Sequence, residues 1–103
     1  MFLNVFMPRC GDEAIYNSYK AYLEERAPEH LVKIYYKQLI QGAVGHHLQG
    51  ILLLALHEEF LERFGETPII FKGLGFRFKG MVRLKNGKLH YEEFDPHKSV
   101  LDY

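Results

Sequence analysis

The sequence predicts an α+β fold: an N-terminal strand, two or three helices with a buried central helix, then a three-stranded antiparallel meander packed on that helix. Three observations predict it. Ile51 to Leu56 is an unbroken apolar run inside a helical pattern that extends from His47 to Phe64. Asn86-Gly87 stands between two alternating runs, the strongest short-range signal for a hairpin closed by a type I′ turn. The 103 residues hold a single Cys, which rules out an internal disulfide and leaves one hydrophobic core to hold the fold.

The totals exclude several function classes. Thirteen basic and thirteen acidic residues cancel, so no bulk charge draws the chain to nucleic acid or to a membrane. The apolar run is far short of the roughly 20 residues a spanning helix needs, and no membrane partner is expected. Met1 to Met7 lacks the basic flank and the length of a signal peptide. A cytoplasmic protein is therefore expected, with residues 1–103 as one compact domain ending in a short tail, 97–103.

Taken in order, Phe2 to Met7 is apolar on both parities, as a strand covered on both faces would be, and Pro8 stops it. Asp12 is placed to cap a helix over Glu13 to Arg26. Its apolar stripe is Ile15, Tyr16, Tyr19, Tyr22 and Leu23, opposite Asn17, Lys20 and Glu24. Ala27-Pro28 separates this helix from the next, with Pro at a first-turn position. Leu31 to Gln41 fits either a strand or a helix. The helix is chosen because Glu29, Lys33, Lys37 and Gln41 then line up at i, i+4 spacing. The central helix is apolar all round in its first half, so that half must be covered all round. After His57 a polar side appears, with Glu58, Glu59, Glu62 and Arg63 opposite Phe60, Leu61 and Phe64.

Thr67-Pro68 opens the β region. Pro68 to Lys72 reads as one strand, Gly73-Leu74-Gly75 as a turn or bulge, and Phe76 to Lys85 and Lys88 to Phe94 as the arms of the hairpin. A two-residue turn fixes the register: Lys85 faces Lys88, Leu84 faces Leu89, Arg83 faces His90, Val82 faces Tyr91 and Met81 faces Glu92. One face then carries Phe76, Phe78, Gly80, Val82, Leu84, Leu89 and Tyr91 toward the core. The outer face carries Arg77, Lys79, Met81, Arg83, Lys85, Lys88, His90, Glu92 and Phe94.

Two short segments resemble nucleic-acid-binding motifs. Gly42-Ala43-Val44-Gly45, followed by Leu48, resembles the backbone-gripping loop of KH domains. Ala43 and Val44 depart from the polar or basic pair usual there, and a glycine-permitted turn between helices accounts for the segment. Lys72-Gly73-Leu74-Gly75-Phe76 resembles the start of the RNP1 motif of RRM domains, with Leu74 in place of a stacking aromatic. From Thr67 to Tyr91 there are six basic residues and no acidic one. Arg77, Lys79, Arg83, Lys85, Lys88 and His90 are accordingly the candidate macromolecule-binding face. Gly42, Gly45, His46 and His47 form a candidate turn site.

No catalytic constellation is found. Cys10 precedes a helix, but the position where a phosphatase-like loop needs Arg is Tyr16. His46 and His57 are separated by about 16 Å along a helix axis, and His57-Glu58 lacks the second His of a zinc-protease motif because that position is Leu61. His57 reads as a hydrogen-bonded core histidine, and no metal or cofactor is expected. The leading expectation is a small non-enzymatic interaction module, a binding or regulatory protein that uses exposed sheet and helix surface. The alternatives are nucleic-acid binding by the basic outer face of the 76–94 hairpin and, last, a small enzyme using Cys10 or a histidine. The partner is thus another protein or a nucleic acid, and self-association stays open.

Overall fold

Gly11, at φ 89, starts the first helix in a conformation that favours glycine. In the computed structural model, which describes residues 11–42, 47–72 and 75–93, α1 (Asp12–Glu24), α2 (Pro28–Gln41) and α3 (His47–Phe64) precede four short strands. These are β1 (Ile69–Lys72), β2 (Gly75–Phe78), β3 (Met81–Lys85) and β4 (Lys88–Glu92). The expected strand over Phe2 to Met7 and the 97–103 tail lie outside the described residues, as do Cys10, Gly45, His46 and Phe94. The α+β class stands, with α3 as the central helix. The Leu31 to Gln41 segment is helical, and Pro28 occupies its first turn as the sequence suggested.

Helix α3 is covered from two sides. Ile51, Leu53, Leu54, Ala55, Leu56 and Phe60 are fully buried, with α1 packed along one flank and β1 against another. Tyr35 of α2 and Ile69 of β1 belong to the same core cluster. Tyr35 meets Phe60 and Phe78 edge-on, at ring separations of 6.1 and 5.7 Å, a geometry that brings ring edges onto π-faces. Leu48 and Leu61 are exposed despite their place in the apolar pattern.

The β region departs from the expected meander in one respect. Phe76 to Lys85 is not one strand but two, and the four strands form two separate two-stranded antiparallel sheets, β1-β2 and β3-β4. The break is at Gly80, which adopts φ 93, while the Lys79 amide donates to the Pro68 carbonyl at 2.8 Å. The Tyr35 hydroxyl donates to the Gly80 carbonyl at 2.5 Å and pins the bend to α2. Beyond it the hairpin register is the expected one at all five pairs, from Met81↔Glu92 to Lys85↔Lys88, and Asn86 and Gly87 carry the positive φ values of a type I′ turn.

The bend also corrects a burial expectation. Met81, assigned to the outer face, is buried beside Val82. Strict alternation places neighbours on opposite faces, but β3 lies against α2, and the approach of a helix shields both. Val82 and Leu89 are buried as expected, whereas Leu84, Tyr91, Phe76 and Phe78 are half-buried.

Candidate docking groove

Between α2 and β3 lies a groove of about 560 Å³. Glu29, Val32, Lys33, Tyr36, Lys37 and Ile40 line it from the helix, and their i, i+3, i+4, i+7, i+8, i+11 spacing makes them one helical stripe. The whole of β3, Met81 to Lys85, forms the opposite wall. The floor is apolar: Val32, Tyr36, Ile40, Met81, Val82 and Leu84. Ile40 is 54% exposed, an unusual degree for a residue on the stripe that faces the sheet. Lys33, Lys37 and Lys85 stand exposed at the rim, and none of the three makes an ion pair among the described residues. The groove falls within the roughly 300–1,000 Å³ range of ligand clefts.

The basic residues singled out in the sequence are divided by the fold. Arg83, Lys85, Lys88 and His90 share one hairpin face by register. Arg77 lies on the other sheet, opposite Ile70, and Lys79 is in neither. Two of the six are engaged within the chain. The Lys79 ammonium sits 4.4 Å above the Tyr91 ring centroid, a cation–π contact. The Arg83 guanidinium is 2.5 Å from the Glu92 carboxylate. Arg77, Lys85, Lys88 and His90 are exposed, and Arg83 and Lys85 also belong to the groove wall.

Of the turn site, Gly42 and His47 are among the described residues. Gly42 ends α2 with φ 77, and its carbonyl accepts from Gln49 Nε2 at 2.9 Å. His47 points back to α1, its Nε2 lying 2.8 and 2.9 Å from the two oxygens of Asp12. Asp12 is therefore not the helix cap: Gly11 holds that position, and the Asp12 side chain is buried in a pair with His47. His57 is half-buried, bonded through Nδ1 to the Ile69 carbonyl at 2.9 Å and edge-on to Phe71. Burial pushes its imidazole below the ordinary histidine range, a shift only partly offset by that hydrogen bond.

A second constellation went unread in the sequence. Lys20, buried, donates to Glu59 at 2.8 Å and to Glu62 at 3.0 Å. Arg63 Nε donates to Glu59 at 2.6 Å, and its Nη atoms donate to the carbonyls of Leu23, Glu24 and Arg26 at 2.6–2.9 Å. Tyr16 donates to Glu58. With Asp12–His47 at one end and Arg63 at the other, α1 and α3 run parallel along a polar seam. Glu24, Glu59 and Glu62 bring carboxylate oxygens within 4.8 Å of one another, but Lys20 and Arg63 already supply the positive charge there. Those two donors hold the Glu59 carboxyl below its usual range against the opposing effect of burial. The arrangement joins two helices.

A scan of protein-family models finds no match to this chain, and searches of curated proteins and of solved structures find none either. No described helix is long and apolar enough to cross a membrane.

Proposed function

We propose that the chain is a non-enzymatic interaction module that docks a segment of another protein in the groove between α2 and β3. The observation that carries this reading is the apolar floor, in which Ile40 is 54% exposed and Val32 and Leu84 are half-buried over the buried Tyr36, Met81 and Val82. Exposed apolar surface rimmed by polar groups is a feature of protein-binding sites. The experiment is a comparison of the full chain with Ile40→Glu and with Val32→Asp. Both substitutions act at the groove, and Ile40 is exposed enough for the first to leave the fold unchanged. Protein ligands should bind the parent chain and lose at least about tenfold in affinity to Ile40→Glu, consistent with loss of a central apolar contact. Ligands indifferent to both substitutions would place the docking surface elsewhere and defeat this reading.

Nucleic-acid binding is a second reading, supported by one observation: Lys85 and Lys88 lie directly opposite each other, exposed, a juxtaposition that costs a few tenths of a kcal/mol with no anion between them. Its test is salt dependence. Lys85→Gln with Lys88→Gln should flatten the slope of log K against log salt by about 1.5–2 units if both contact phosphates. An unchanged slope would remove these two lysines from any such interface.

A further inference from the structure

The groove also limits what shape its occupant can have. An extended peptide carries unsatisfied N–H and C=O groups along its length, and it binds well beside a strand whose edge can complete a ladder with it. In β3 that edge is closed. The two-residue turn makes Lys85 and Lys88 a hydrogen-bonded pair, so the ladder to β4 runs through Met81, Arg83 and Lys85. The amide and carbonyl of Val82 and Leu84 therefore point away from β4. Val82 is fully buried, so the middle of that edge cannot be reached. The rest of the floor offers Val32, Tyr36, Ile40 and Met81, mostly apolar surface that cannot satisfy a peptide backbone.

A helix brings its backbone hydrogen bonds already made. We infer that the occupant is an amphipathic helix of a partner protein, apolar on the face laid into the groove and acidic along its edges. This rests on the groove being the docking site. The charge assignment comes from the rim: Lys33 and Lys37 lie one turn apart on α2, Lys85 stands across from them, and among the described residues Glu29 is the only carboxylate in the lining. Carboxylates one turn apart on the partner match the two α2 lysines, and Lys85 meets an acid on the other edge. A helix with basic edges would bring like charges together on both sides, a cost that discriminates against it.

The test uses two phage-displayed peptide libraries selected on the full chain. One is templated as a helix with its surface positions randomised, and the other is an unconstrained library of equal length. Clones are kept if Ile40→Glu abolishes their binding, and their synthetic peptides are measured by fluorescence anisotropy. The expected result is that such clones come mainly from the helical library and carry apolar residues at i, i+3 or i+4, and i+7 flanked by Asp or Glu. A central proline should reduce their binding at least tenfold, and Lys33→Glu with Lys37→Glu should do the same. Groove-dependent clones with alternating apolar residues, tolerant of proline, or with basic flanks would overturn the inference while leaving the docking site in place. No groove-dependent clone from either library would defeat both. A dimer of the chain that Ile40→Glu dissociates in sedimentation velocity would show a second copy in the groove and overturn the assignment to a partner.

Discussion

Replacing Lys20 by Met tests the seam that joins α1 to α3. The substitution keeps the length of the aliphatic stem, which lies buried, so little cavity is made and the lost charge is isolated. Glu59 is 3% exposed, and without the Lys20 ammonium at 2.8 Å its carboxylate keeps, among the described residues, only Arg63 as a charged partner. Removing one member of a buried pair costs about 3–5 kcal/mol when the other is left alone. Arg63 reduces that here, and a lost charge-assisted hydrogen bond is worth about 1.5–3 kcal/mol. The Lys20–Glu62 contact adds little, because the Glu62 side chain is 58% exposed and such pairs contribute about 0–1 kcal/mol. The sum is a loss of about 2–3 kcal/mol, or roughly 8–24 °C in Tm for a domain of this size. Urea denaturation followed by circular dichroism measures it, with an unchanged m-value as the check that only stability moved. Adding Glu59→Met should recover part of the loss, since an apolar pair of similar volume can replace a buried ion pair at little cost. A loss below about 0.5 kcal/mol, in the range of an exposed pair, or no coupling in the double-mutant cycle, would refute the claim that this seam holds the helices together.

Leu53 is fully buried in α3, and Leu53→Ala should cost about 2–5 kcal/mol through lost transfer energy and a residual cavity; a denaturant midpoint that barely moves would contradict two-sided burial of that helix. Gly80→Ala should cost about 1–2 kcal/mol, because a Cβ is disfavoured at φ 93, and equal stability in thermal melts would show that the bend between the sheets is not fixed there. Acidification should destabilise the fold in two stages. The imidazole of His57 and the carboxyl of Glu59 both have folded values below their ordinary ones, so each contribution is full above the unfolded value and is lost as pH falls through the folded one. Tm should hold above about pH 6.5, decline below it as His57 charges, and decline further below about pH 4.3; His57→Phe should abolish the first stage, and a Tm that rises between pH 6.5 and 5 would contradict the sign.

The hairpin was legible because its information is local. Asn86-Gly87 sets the turn, the turn sets the pairing, and no distant residue is needed. The bend at Gly80 was not legible, since glycine in an alternating run is compatible with a continuous strand, a bulge or a break. What chooses among them is Tyr35, distant in sequence, which holds the Gly80 carbonyl. The seam is a different failure. Asp12, Tyr16, Lys20 and Leu23 follow i, i+4, i+8, i+11 and so form one stripe, and Glu59 falls three and four residues after Leu56 and Ala55. Lys20 and Glu59 each also border a polar side, and the cost of a lone buried charge assigns them to it, whereas the structure buries both. Only the pairing of the two helices removes that cost, and pairing is a tertiary fact. The groove, too, exists only once two elements have paired. Parity alone assigns Met81 outward, yet it is buried in the groove lining, where Ile40 is exposed and Val32 half-buried. Period two puts the basic residues on one face, while in the fold Glu92 and Tyr91 take up Arg83 and Lys79. Among the described residues, the rim lysines without an ion pair are Lys33, Lys37 and Lys85, two from the helix and one from the strand. No pattern within either element could have joined them, and that joining is why the groove, rather than the hairpin face, is where a partner's charge would be read.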